Sequence, residues 1–194
     1  MNRPRAAPQS TSEGLCVLFE CTPWLCAIPT SWIKGLLALD EARLLAGVPG
    51  EPGAGLRRYD PRGPLAGDMR LSIGSHWYAP WDFGQMVELA PLSGGWLLLQ
   101  IRHAERDVPL ALRVGPCTAV QQIAEALPLP RALFRARQAA FDGAFVFEPG
   151  ANAGARAAIG LRLNPAGLWT ARELEQSALL VSSATPRPER RSHG

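Results

Sequence analysis

Gly14-Leu-Cys-Val-Leu-Phe-Glu-Cys-Thr-Pro-Trp-Leu-Cys-Ala-Ile-Pro29 holds two short apolar runs, Leu15 to Glu20 and Trp24 to Ile28, on either side of Cys-Thr-Pro. Apolar runs of this length, split by a turn residue, describe a β-hairpin with both strands largely buried. Pro29 has no amide hydrogen to give a ladder and stops the second strand. The same grammar recurs downstream. Met69 to Ala79 alternates Leu71, Ile73, Ser75 and Trp77 against Ser72, Gly74, His76 and Tyr78, with Gly74-Ser75 as the turn and Pro80 as the stop. Trp96 to Arg102 and Val108 to Val114 flank the polar turn His103-Ala-Glu-Arg-Asp107, and Gly143 to Phe147 pairs with Ala158 to Leu163.

Helix signals are fewer and short. Asp82 stands at an N-cap position, Gln85 follows three residues later, and Phe83, Met86, Val87 and Ala90 keep helical spacing. Thr170 and Glu173 form a capping box, Trp169 and Leu174 occupy the positions of a hydrophobic staple, and a C-terminal helix to about Val181 is expected. Two further stretches read as helical or irregular: Ser31 to Ala46, weakened by Gly35, and Thr118 to Leu127, where Val120, Ile123, Ala124 and Leu127 fit one face. Leu133, Phe134 and Phe141 read as anchors of an irregular stretch. Many short strands with little helix between them favour antiparallel barrels over a parallel doubly wound sheet.

Composition bounds the rest. Hydrophobic residues make up 47% of the 194 and charged residues 19%, enough for one substantial core or two small ones. Five of the 20 basic residues and two of the 17 acidic ones lie in the terminal segments, which leaves 15 of each between them. The net charge of +3 is therefore a property of the ends, and no domain-wide field draws in nucleic acid or anionic lipid. The longest uncharged stretches, Cys21 to Ile33 and Leu89 to Ile101, fall short of the roughly 20 apolar residues of a membrane helix. Residues 1–13 and 184–194 are rich in Pro, Ser, Thr and Arg and are expected to be disordered tails around a single domain spanning 14–183. No apolar block with a small-residue cleavage site follows the N-terminus, so a cytoplasmic location is expected.

Few residues invite chemistry. Cys16, Cys21, Cys26 and Cys117 lack zinc-ligand spacing and read as four buried thiols, so neither a metal nor a cofactor is expected. Residues 47–67 hold six glycines and four prolines and read as a long loop. Its Gly50, Gly53 and Gly55 do not make a phosphate loop, because no helix signal follows and the only lysine of the chain is Lys34. Ser75, His76 and Asp82 are the closest approach to a hydrolytic constellation, but adjacent strand residues point to opposite faces. Acid pairs such as Asp40 with Glu41 suit a solvated surface. Arg70 and Arg113, on strand faces, are expected to carry their heads to solvent. Among six tryptophans, Trp81 beside Pro80 at a strand end is the least comfortable in a core.

The ordered pieces resemble CheW-like coupling domains of chemotaxis. Gly14 to Glu20 with Leu25-Cys-Ala-Ile-Pro29 and Trp32-Ile33 looks like the opening of such a domain. Tyr78-Ala-Pro-Trp-Asp-Phe-Gly84 is similar to its strand that ends near Pro and enters a helix at Asp. Leu97 to Val114 with Gly115-Pro-Cys-Thr-Ala-Val120 resembles its central strands, and Phe141 to Phe145 with Gly160 to Pro165 and Leu168 its last strands and closing helix. The resemblance implies a mainly β fold of two SH3-like β-barrel subdomains sharing a hydrophobic seam, with short helices and a C-terminal helix. It also implies strand in place of helix over Cys117 to Ile123. The implied function is a non-catalytic adaptor joining chemoreceptors to a CheA-type histidine kinase, with Arg70, Trp77 and Trp81 as the expected partner-binding residues. A small-molecule-binding β-barrel with a closed apolar cavity, or a small hydrolase, are the alternatives that the residues leave open.

Overall fold

The computed structural model describes residues 14–38, 43–46, 55–58, 69–123, 126–129, 137–147 and 158–182. In chain order its strands are β1 (Leu15–Cys21), β2 (Trp24–Pro29), β3 (Ile33–Leu37), β4 (Arg43–Ala46), β5 (Gly55–Arg58), β6 (Arg70–Ile73), β7 (His76–Asp82), β8 (Trp96–His103), β9 (Arg106–Arg113), β10 (Cys117–Gln122), β11 (Phe141–Phe147) and β12 (Ala158–Leu163). Helix α1 (Phe83–Met86) follows β7, and α2 (Ala171–Ser182) ends the described chain. The strands form a five-stranded sheet, β10-β1-β2-β12-β11, and a seven-stranded sheet, β3-β8-β9-β7-β6-β4-β5. Most neighbours are antiparallel, but each sheet contains one parallel pair, β2 with β12 and β7 with β9, where distant parts of the chain meet.

Strand periodicity explains why the runs are so apolar. Along β8, Trp96 and Leu98 enter a cluster with Leu71 and Ala111, whereas Leu97, Leu99 and Ile101 face the main core. Along β1, Cys16 and Leu18 join Ala27, Ile123 and Phe145, whereas Phe19 and Cys21 face that same main core. Strands β1 and β8 thus bury residues on both faces, and strands buried on both faces lose the polar alternation of a half-exposed sheet. The main core lies between the sheets, with Phe19, Ile28, Leu161 and Leu163 from one meeting Leu97, Leu110 and Leu112 from the other. Phe83 is packed edge-on against both Phe19 and Phe141 across this seam. At the crossing from β9 to β10, a Cβ on Gly115 would stand 1.8 Å from the Glu20 carbonyl oxygen, so only glycine fits.

Several expectations need correction. Ser31 to Ala46 is not a helix: a 3₁₀ turn at Thr30–Trp32 leads into β3, and β4 occupies Arg43–Ala46. The leucine spacing there fits a helix, but pairing of Leu36 with Leu97 and of Leu44 with Leu71 prevails over local preference. The 47–67 stretch contains strand β5, paired with β4; the rest of that loop lies outside the described residues, as do both terminal tails, Leu133 and Phe134. Cys117–Gln122 is strand, as the family resemblance implied and the local reading did not, because β1 offers it a ladder from Leu15 to Phe19. Pro80 does not end β7, which runs on to Asp82 beside β9; β6 is paired only as far as Tyr78, and such an unpaired flank is where a strand accepts proline. Cys117 is exposed on the edge strand β10, whereas Cys16, Cys21 and Cys26 are buried.

Candidate functional site

The most connected polar groups gather where α2 lies against β7, β8 and β9. Asp82 ends β7 and caps α1: its Oδ1 accepts from the Gln85 amide at 2.9 Å and its Oδ2 from the Leu92 amide at 3.0 Å. Its remaining valence goes to Arg113, which donates through Nε from the adjacent position on β9. Both side chains are fully buried, so neither arginine-to-solvent expectation holds: Arg113 is 0% and Arg70 2% exposed. Helix α1 stops at Met86, where Glu88 takes the left-handed region at φ +62° and the Leu89 amide turns back to the Gly84 carbonyl at 2.7 Å.

Among the described residues, Arg137, Trp81 and Arg70 donate hydrogen bonds that tie helix α2 to the rest of the fold. Its capping box forms as the sequence predicts, with Glu173 Oε2 accepting from the Thr170 amide at 2.7 Å and the Glu173 amide donating to Thr170 Oγ1 at 3.3 Å. Trp169 and Leu174 are both buried, as a staple requires. Glu173 also accepts from Arg137, whose Nη1 donates to the Leu168 carbonyl as well. Burial would raise the Glu173 carboxyl, but the Arg137 guanidinium and the Thr170 donors more than offset it and hold it below the ordinary glutamate value. Midway along the helix, Trp81 Nε1 donates to Ser177 Oγ at 3.1 Å. Near its C-terminal end, Arg70 Nε donates to the Leu180 carbonyl at 2.7 Å.

Between α2 and the end of β7 lies a cavity of about 260 Å³, walled by Trp81, Met86 and Leu180 and bordered by Gln85, Gln176 and Ser177. A second cavity, about 460 Å³, shares Gln85, Met86 and Arg137 with the first and reaches Thr170 at the start of α2. Of the three residues expected to meet a partner, Trp81 stands at the cavity, Arg70 lies beneath the far end of α2, and Trp77 is half-buried on β7 opposite Ser72. Arg137 and Ser177 were not legible beforehand; Arg137 reaches a partner 36 residues away, and no local pattern marks such a pair.

The hydrolytic constellation is not assembled. Ser75 and His76 are exposed at the β6–β7 turn, whereas Asp82 is enclosed by Arg113 and two amides. In the β1–β2 hairpin the Cys26 thiol is hydrogen-bonded to Cys21, which lowers Cys21 and, together with burial, raises Cys26 well above an ordinary thiol. Among the described residues no group of three or more His, Cys, Asp or Glu is placed to hold a metal ion. No described helix is long and apolar enough to cross a membrane.

Two β-sheets joined through a shared apolar seam and closed by a C-terminal helix define the CheW-like class of fold. The scaffolding protein TtCheW from Thermoanaerobacter tengcongensis has a similar crystal structure, with a TM-score of 0.54 over 88% of this chain and 94% of that one, at 11% sequence identity. No family model matches the sequence, and no curated protein matches it either. The chain is therefore CheW-like in fold and strongly divergent in sequence.

Proposed function

We propose that this protein is a non-catalytic cytoplasmic adaptor in a chemotaxis-like pathway, coupling receptor-type proteins to a CheA-type histidine kinase through protein contacts alone. The observation that carries the reading is the likeness in fold, over 88% of the chain, to a scaffolding protein. The polar groups near the α2 contact support it too, because each is consumed within the chain: Glu173 with Arg137 and Ser177 with Trp81 hold α2, and Asp82 caps α1 and pairs with Arg113. Trp77 and Trp81 are the contact residues of this reading. Arg70 acts from beneath them by fixing α2, since its guanidinium is buried.

The test is affinity purification of the tagged full-length chain from its native cells, with mass spectrometry of what accompanies it. A CheA-type histidine kinase or a chemoreceptor is expected, and Trp77→Ala is expected to reduce its recovery while leaving the thermal midpoint unchanged. A set of partners without any signalling kinase or receptor overturns the proposal.

A further inference from the structure

The cavity under α2 has a composition that selects a ligand. Its wall is apolar and polarisable, with Trp81, Met69, Met86 and Leu180 supplying ring, thioether and aliphatic surface. Thioethers and indole favour the faces and edges of aromatic rings. The charges at its border are already neutralised: Asp82 is paired with Arg113, and Arg137 with Glu173. An ionised ligand would therefore lose its hydration against a surface with no free counter-charge, which binding penalises strongly.

Two amides remain at the mouth, Gln85 on α1 and Gln176 on α2, both exposed and both able to donate and accept. A volume of about 260 Å³ is near the lower end of small-molecule pockets. From these features we infer that the cavity between β7, α1 and α2 is a binding site for a small, neutral, planar aromatic compound bearing an amide-like edge. The ring lies against Trp81 and the two methionines, and the polar edge meets Gln85 and Gln176. Because Trp81 is hydrogen-bonded to Ser177, an occupant there touches both the helix and the sheet it closes upon.

This inference is independent of the adaptor reading, because its test uses the isolated full-length chain with no kinase or receptor. Three probes of one shape separate the chemistry: indole-3-carboxamide, indole-3-carboxylate and 3-(aminomethyl)indole. Binding is followed by thermal shift and by the Trp81 indole N–H resonance in ¹⁵N-labelled protein. The carboxamide is expected to bind saturably, shift that resonance and bind at least about tenfold tighter than either charged probe. The double substitution Gln85→Ala with Gln176→Ala, at exposed positions that leave the fold intact, is expected to remove the preference for the amide. Absence of saturable carboxamide binding, equal binding of a charged probe, or a preference unchanged in the double variant would each overturn the assignment.

Discussion

Asp82 and Arg113 are direct partners on the parallel strands β7 and β9, and their fully buried side chains form an ion pair. The carboxylate also accepts two backbone amides, so three donors surround one buried anion. Breaking such a pair leaves an uncompensated charge in the core, at a typical cost of about 3–5 kcal/mol. Arg113→Met is expected to lower stability by that amount in urea unfolding. Adding Asp82→Asn to it is expected to restore at least about 1 kcal/mol, because the charge is gone while an oxygen still accepts at the α1 cap. A loss below about 1 kcal/mol for Arg113→Met would show that the pair does not anchor the seam.

Glu173 links the start of α2 to Arg137, and its folded-state pKa is depressed. A depressed carboxylate stabilises the fold above its unfolded pKa of about 4.3 and loses that contribution as pH falls through the lower folded value. Glu173→Gln is expected to cost about 1–2 kcal/mol at neutral pH, combining a weakened capping box with a lost, partly exposed ion pair. Unfolding curves of the two proteins are expected to converge once the pH falls below the folded-state value. A difference that persists undiminished under acid would assign the effect to packing.

The β8–β9 turn is made by Ala104 and Glu105, with φ of +46° and +64°. Residues with side chains pay roughly 1 kcal/mol each for the left-handed region, and two-residue hairpins favour Asn-Gly there. Replacing Ala104-Glu105 by Asn-Gly is expected to stabilise the protein by about 1–2 kcal/mol. The change is on the surface and leaves the cavity and both tryptophans untouched, so probe binding serves as its control.

Local chemistry decided what the sequence could reveal. The hairpins at Leu15–Pro29 and Arg70–Asp82 and the cap at Thr170 depend on neighbouring residues, and each is present in the structure. Gly74 takes the positive φ of +58° that a two-residue hairpin loop demands of its first position, which is why Gly-Ser marked that turn. Strands β3, β4 and β10 escaped local reading because distant partners pull the chain into ladders against its spacing. Resemblance restored β10, whose pattern of residues after Gly115 matched the family's central strands. The site was less legible: Trp81 stood out as an aromatic ill-suited to the core, but the burial of Arg70 and Arg113 depends on partners distant in sequence, the Leu180 carbonyl of α2 for Arg70 and Asp82 of β7 for Arg113.

Arg70 is the residue through which sheet and closing helix communicate furthest from the cap. It lies on β6 and donates to the carbonyl of Leu180, in the last turn of α2, where the helix dipole is negative and carbonyls lack helical partners. A buried cation at that position both satisfies an acceptor and complements the dipole, so its removal acts on α2 before it acts on the seam. Arg70→Met keeps the apolar stem and removes the head; it is expected to cost about 2–3 kcal/mol, within the range for a hydrogen bond to a charged group. Hydrogen exchange locates the effect. Amides of Leu174 to Ser182 are expected to lose protection, while those of Leu97 to Ile101 and Leu110 to Leu112 exchange as in the wild type. Equal loss of protection in β8 and β9 would mean that Arg70 supports the whole sheet and that α2 is not separately tethered.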